Sequence, residues 1–366
     1  MPGIRVLVVD DSVVIRKLVS DLLSVDPDIE VVGTAVNGRA AVQKVAQLKP
    51  DLVTMDIEMP EMNGIESVRE IRATGNRVPI IMFSTLTERG AVATLDALAA
   101  GASDYVPKPA NVGSVGRSME QVREALIPRI KSLVPRRGST PHPAGVTVAP
   151  TAAMQLRPAA TPPPGGHRVL VIGSSTGGPE ALSALLHTLP PLAVPVAVVQ
   201  HMPPLFTRQF AARLDRQLPF EVVEAEHGRP LRPGTVVIAP GDYHLEVAAD
   251  AAGLRTRLTQ APPENYCRPA VDVLFRSAVA AVGPAVLAVV LTGMGSDGCK
   301  GARLIVERGG SVLAQDQVTS VVWGMPGAVA TAGLAEQVLP LLDLGPEILR
   351  RLARQRPTPV PAGALS

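Results

Sequence analysis

Residues 168–178 read R-V-L-V-I-G-S-S-T-G-G, an apolar run that breaks at once into small residues. A buried strand that turns sharply into a helix has this pattern, because the strand must be apolar while the turn tolerates little side-chain bulk. Gly173, Ser175 and Gly177 fit G-x-S-x-G, the elbow in which a tight strand-to-helix turn lifts a serine oxygen clear of the backbone. The same frame centred on Ser174 needs glycines at 172 and 176, where the chain has Ile172 and Thr176. Ser175 is therefore the candidate nucleophile. The spacing matches neither of the two commonest phosphate loops, G-x-G-x-x-G and G-x-x-x-x-G-K-[ST]. On this motif alone a glycine turn that only connects elements, or that holds another phosphorylated ligand, stays open.

An elbow needs a sheet to stand on, and 366 residues with 46% hydrophobic and 19% charged side chains are enough for two cores. The longest apolar runs, such as 285–291, are too short to span a bilayer, and the N-terminus has no signal-peptide layout. A cytoplasmic protein without membrane insertion is expected. Cys267 and Cys299 form no disulfide framework and no C-x-x-C pair, so both read as ordinary packed thiols. The net charge of +2 is unevenly spread: residues 1–127 carry 13 basic and 17 acidic groups, and residues 168–345 carry 13 and 15. The positive excess lies in the connecting segment and the tail, so neither folded part has the basic surface of a nucleic-acid binder.

Residues 1–127 alternate strand-like and helix-like segments, with strands expected at 4–9, 30–36, 52–55, 78–83 and near Tyr105. This alternation predicts a parallel sheet covered by helices. Asp10 and Asp11 follow the first strand and Asp56 ends the third, so three carboxylates converge on the sheet edge where open α/β folds bind ligands. Clustered carboxylates repel unless a hard cation joins them, and Mg²⁺ held by carboxylates and phosphate oxygens meets that need.

The pieces D-D at 10–11, M-D-I-E-M-P at 55–60, N-G at 63–64, Ser84 after I-I-M-F, and Y-V-P-K-P at 105–109 together resemble a two-component receiver domain of flavodoxin-like fold with a five-stranded parallel sheet. The resemblance implies that Asp56 is the phosphoacceptor, that Asp10 and Asp11 hold Mg²⁺, and that Lys108 neutralises the phosphoryl group. It also implies that Ser84 hydrogen-bonds that group and that Tyr105 is an aromatic switch. A helix is expected to continue over 122–133, with Arg129 and Lys131 on a solvated face.

Eight prolines between Pro135 and Pro164, and almost no periodicity, mark a flexible to semi-extended linker at 128–166. His142 and His167, in or beside it, read as exposed and chemically idle. A second α/β unit is expected at 167–350, doubly wound and mainly parallel, with a tail at 351–366. Its strands are expected at 169–172, 194–199, 220–225, 235–239 and 285–291. Three of them run into Ser175, His201 and Asp297, which puts a nucleophile, an imidazole and a carboxylate on one sheet edge. The order Ser, His, Asp differs from the Ser, Asp, His order of α/β-hydrolases, so that fold is not implied.

The motifs G-S-S-T-G-G-P, Q-H-M-P-P-x-F-T, I-A-P-G-D-Y-H, N-Y-C-R-P-A-V-D and L-T-G-M-G-S-D-G-C-K-G resemble the chemotaxis response-regulator methylesterase family (the CheB family) along both units. That resemblance implies hydrolysis of glutamate methyl esters on chemoreceptors with release of methanol, and deamidation of receptor glutamines, switched on by phosphorylation of Asp56. It implies a histidine kinase as phosphodonor, no cofactor for the ester step, and a monomer. The backbone N–H of Thr176 is the expected oxyanion donor and the family adds that of Met294, while Arg268 and His244 are placed near the substrate cleft. The rival readings are a DNA-binding response regulator and a non-catalytic sensory module that binds a phosphorylated ligand. The length of the linker leaves the closeness of interdomain docking open.

Overall fold

The computed structural model describes residues 3–108, 115–134, 156–161 and 163–353, without the side chains of 115–119. The N-terminal unit runs β1 (Ile4–Val9), α1 (Val13–Ser24), β2 (Ile29–Ala35), α2 (Gly38–Leu48), β3 (Leu52–Asp56), α3 (Gly64–Ala73), β4 (Ile80–Ser84), α4 (Glu88–Ala99), β5 (Asp104–Pro107) and α5 (Val115–Leu133). Its five strands pair in parallel in the order β2-β1-β3-β4-β5, the expected flavodoxin-like sheet. The strand order reverses its winding between β1 and β3, which opens a crevice beyond their carboxyl ends. Helices cover both faces, so the strands are apolar on both sides: Val6, Val8 and Ile81 pack into one layer and Leu7, Val53 and Met55 into the other. Side chains of Ser12, Asn37, Asn63 and Thr87 accept the free N–H groups that open α1 to α4, each cap contributing about 1 kcal/mol.

The C-terminal unit runs β6 (Val169–Ser174), α6 (Gly178–His187), β7 (Val196–Gln200), α7 (Pro204–Gln217), β8 (Glu221–Glu224), β9 (Thr235–Ile238), β10 (His244–Asp250), β11 (Gly253–Thr259), α8 (Val271–Val282), β12 (Val286–Val290), α9 (Cys299–Glu307), β13 (Ser311–Gln315), α10 (Met325–Thr331), β14 (Gln337–Leu339) and α11 (Leu341–Ala353). Seven strands form one parallel sheet in the order β14-β13-β12-β6-β7-β9-β8. The chain enters at β6 and builds outward in both directions, so the switch point lies between β6 and β12. Leu170 and Ile172 point into a layer with Leu182, Phe206 and Leu344, while Val169 and Val171 point to Leu274, Phe275 and Ile305.

Three strand features differ from the sequence reading. The β10–β11 hairpin is antiparallel and separate from the large sheet, and its polar alternation, L-E-V and L-R-T-R-L, lacks the continuous apolar run that marked the others. β13 is a fully buried strand of five residues inside the sheet, and β14 is a three-residue edge strand paired to it; neither was expected.

The connecting segment keeps the helix expected over 122–133 and departs from expectation elsewhere. Helix α5 continues past 127 to Leu133 and contains Pro128; Lys131 is exposed as expected, but Arg129 Nε donates to Asp104 Oδ2 at 3.1 Å. Arg157, read as linker, is docked on the C-terminal unit: its N–H donates to Ala335 O at 3.0 Å and its guanidinium to Gly310 O at 3.1 Å. His167, expected to be exposed, is buried, and burial first, with Arg351 nearby, pushes its pKa down to about 4. The reason is tertiary: the turn closed by Gly166 N–H to Pro163 O, followed by Arg168 N–H to the distant Ala285 O, folds this stretch onto the sheet. His142 and the tail beyond 353 lie outside the described residues.

The two units dock directly. Tyr105 of β5 stacks on Phe206 of α7 with ring centroids 4.7 Å apart and planes 4° from parallel. Arg213 of α7 reaches Asp96 of α4 at 2.6 Å, and a buried hydrogen bond of 2.8 Å joins Thr176 Oγ1 to Asp104 Oδ2.

Candidate active site

Backbone geometry separates the two serines of the elbow. Ser174 is the last residue of β6, paired in register with Gln200, and its buried hydroxyl donates to Gln200 Oε1 at 2.7 Å. Ser175 is the first residue beyond the strand and is half-buried. Its N–H donates to Thr292 O at 3.0 Å, and its carbonyl accepts from Gly178 N at 2.7 Å. Both flanking glycines are sterically required. A Cβ at Gly173 would sit 2.3 Å from Val271 Cγ1, and one at Gly177, where φ is 73°, would sit 2.5 Å from Val321 Cβ.

His201 and Asp297 follow β7 and β12, the strands on either side of β6. His201 Nε2 lies 2.9 Å from Asp297 Oδ2. That carboxylate is buried and fully engaged: Oδ2 also accepts from Val271 N at 2.7 Å, and Oδ1 accepts from Asn265 Nδ2 at 2.8 Å, Gly298 N at 2.9 Å and Asp272 N at 3.0 Å. Burial alone would raise its pKa, but the His201 hydrogen bond and these N–H groups hold it below the ordinary aspartate value. Burial likewise disfavours the imidazolium, yet Asp297 and then Cys267 outweigh it and push His201 up to about 10. The arrangement favours charge on the imidazole, which is what a base needs once it has accepted a proton.

Cys267 is more than packing. Its Sγ lies 3.5 Å from His201 Nδ1, the nitrogen turned away from Asp297. No hydrogen bond joins Ser175 Oγ to His201 in this structure; such contacts are often long in a free enzyme and tighten around substrate. The N–H groups of Thr176 and Met294 donate to no group among the described residues, which leaves both available to an oxyanion.

The loop before α8 ties this arrangement together, and Arg268 and His244 belong to its anchorage. Arg268 pairs with Asp242 at 3.0 Å through Nε and donates to Gln260 O and Ala261 O. His244 is buried, with Nε2 3.1 Å from Pro262 O and Nδ1 accepting from Ala270 N. Both therefore anchor loop 260–270, which carries Cys267 to His201. The functional residue the motif reading missed is Asn265, whose amide donates to Asp297 and, at 2.9 Å, to Asp272. Its place in N-Y-C-R-P-A-V-D was the available signal.

In the N-terminal unit Asp10, Asp11 and Asp56 bring one carboxylate oxygen each within 4.8 Å of one another. Lys108 Nζ lies 2.8 Å from Asp56 and 3.0 Å from Asp10. Burial pushes Asp56 up to about 6 despite Lys108. Asp10 Oδ2 is buried against the Lys108 ammonium, and three convergent carboxylates are a hard-oxygen donor set that suits Mg²⁺. Ser84 Oγ faces α4, accepting from Thr94 Oγ1 at 2.6 Å and donating to Gly90 O at 3.1 Å. Tyr105 is buried under Phe206.

Comparison with known proteins agrees with this layout. Residues 170–348 match the family model described as CheB methylesterase, and residues 6–117 match the response regulator receiver domain. A protein-glutamate methylesterase/protein-glutamine glutaminase of Nocardioides sp. (strain ATCC BAA-499 / JS614) is 92% identical over 366 residues, covering 100% of both chains. One from Trichodesmium erythraeum is 48% identical over 96% of this chain and 100% of its own. The crystal structure of the Thermotoga maritima CheB methylesterase catalytic domain is similar at a TM-score of 0.50 and 42% identity, covering 50% of this chain and 98% of that one.

Proposed function

The chain belongs to the protein-glutamate methylesterase/protein-glutamine glutaminase family, and we propose that its ester hydrolysis is carried out by Ser175, His201 and Asp297. It is a response regulator with a receiver domain and a methylesterase/glutaminase effector domain; the DNA-binding and non-catalytic readings are not favoured. Ser175 Oγ attacks the side-chain carbonyl of a glutamyl methyl ester while His201 takes its proton. The oxyanion that forms is bound by the N–H groups of Thr176 and Met294. His201 then returns the proton to the leaving methoxide, or to the leaving amine when the substrate is glutamine, and water repeats the sequence to free the glutamate. Asp297 holds the imidazole and stabilises its charged form. The ester step needs no cofactor.

In the receiver, Asp10, Asp11 and Asp56 would hold Mg²⁺, which supplies charge neutralisation at an incoming phosphoryl group. Asp56 accepts that group from a histidine kinase, Lys108 pairs with it, and Ser84 turns from α4 toward it. The substrates are methylated chemoreceptors.

The observation that carries this reading is the hydrogen-bonded His201–Asp297 pair on the same sheet edge as Ser175, at the switch point of the parallel sheet. The test is methanol release from methylated receptor membranes with and without a phosphodonor and Mg²⁺. Unchanged release by Ser175→Ala would overturn the assignment.

A further inference from the structure

Residues 264–267 form a two-residue turn closed at both ends, with Glu264 N–H donating to Cys267 O at 3.1 Å and Cys267 N–H to Glu264 O at 2.9 Å. Both central residues have positive φ, 51° at Asn265 and 63° at Tyr266. Asparagine tolerates this conformation, whereas a tyrosine there is a steric outlier. Such a backbone persists only where the surroundings over-determine it, and residues of this kind cluster at functional sites. Here the surroundings are the catalytic machinery itself. Asn265 is bonded to Asp297 and Asp272, Cys267 lies against His201, and Glu264 is held by both terminal nitrogens of Arg276 at 3.2 and 2.6 Å.

The turn thus fixes the backbone of Tyr266 between two residues that touch the proposed catalytic groups, and its side chain does nothing for the fold. It is 104% exposed, the most open of the large hydrophobic side chains described. A second exposed apolar group adjoins the elbow from another loop: Val321, 45% exposed, packs against Gly177. A small ester needs only the nucleophile and its oxyanion donors. A protein substrate must also rest its backbone and neighbouring side chains on the rim, and rigid aromatic side chains on such rims supply contact area at little entropic cost.

We propose that Tyr266 is a specificity residue for the protein substrate, contacting the receptor surface around the modified glutamate rather than the ester itself. The proposal rests on the methylesterase reading above. Tyr266 touches no reacting atom, so it acts on how the receptor seats and not on the chemistry.

The test compares kcat/KM for methylated receptor membranes with that for p-nitrophenyl acetate, using full-length protein with phosphodonor and Mg²⁺. Tyr266→Gly suits the positive φ and keeps the turn, while Tyr266→Phe keeps the ring. Tyr266→Gly is expected to lose about tenfold on receptor, mostly through KM, as loss of one anchoring aromatic would give. Its rate on the small ester stays within about twofold of wild type, and Tyr266→Phe retains most activity on both. Equal losses on both esters would make Tyr266 merely structural, and no loss on either would leave it idle; each outcome overturns the proposal. Wild-type protein that cleaves neither ester would instead remove the hydrolase reading, and the proposal with it.

Discussion

The hydroxyl of Thr176, the residue after the proposed nucleophile, donates to the carboxylate of Asp104, which lies 72 positions earlier in the receiver. Thr176 supplies the proposed oxyanion N–H, and Asp104 is followed directly by Tyr105, which is stacked on Phe206. Receiver and site therefore share one buried contact. A phosphoryl group on Asp56 is expected to raise activity by stabilising an arrangement in which this contact is released. Asp104→Ala is expected to raise methanol release by unphosphorylated protein several-fold, since a hydrogen bond to a charged group contributes about 1.5 to 3 kcal/mol. An unchanged basal rate would show that the contact does not restrain the site.

Removing the receiver altogether is expected to raise basal activity further, provided the cut respects the docked segment around Arg157. A protein beginning near residue 150 keeps the Arg157 contacts with Ala335 and Gly310. One beginning near 165 loses them and is expected to show a lower Tm. Steady-state methanol release and thermal unfolding of the two truncations separate release of inhibition from loss of stability.

Ser175→Ala is expected to abolish methanol release while Ser174→Ala retains much of it. Ser174→Ala leaves Gln200 Oε1 without its donor inside the sheet, so its cost appears in stability, about 1 to 3 kcal/mol. Losses in Ser175, His201 and Asp297 variants are expected to be far from additive, because the three act as a unit. Additive losses would argue against a triad.

The pH profile follows from His201. Its neutral form is the base, and its pKa is raised above the ordinary 6.5, so the proton is held to higher pH. The rise of kcat/KM with pH is therefore expected to have its midpoint above 6.5. Asp297→Asn removes the raising partner while burial remains, so the midpoint of its residual activity moves down. A midpoint unaffected by Asp297→Asn would mean that another group is titrating.

Asp56→Asn is expected to keep basal activity low and to remove stimulation by a phosphodonor with Mg²⁺; chelation of the metal should do the same to wild type. Stimulation that survives either Asp56→Asn or chelation would mean that another group accepts the phosphoryl.

The sequence by itself determined the two parallel sheets, since strands buried on both faces are continuous apolar runs and their ends are marked by glycine, aspartate and serine. It also singled out Ser175 over Ser174, because the elbow's steric demand for Gly173 and Gly177 is a local property of the backbone. His201, Asp297 and the Asp10–Asp11–Asp56 cluster were readable for a related reason: each ends a strand or lies in the loop that leaves one, and a parallel sheet delivers its strand ends to one edge. The groups that only the tertiary structure decided are those whose partners are distant in the chain. Asn265 bonding to Asp297, Cys267 beside His201, Arg268 and His244 pinning a loop, and Asp104 reaching Thr176 depend on how loops and domains pack, and no local pattern records that. The burial of His167 belongs with them, because a turn of prolines and glycines reads as solvated linker until the sheet it folds against is in place.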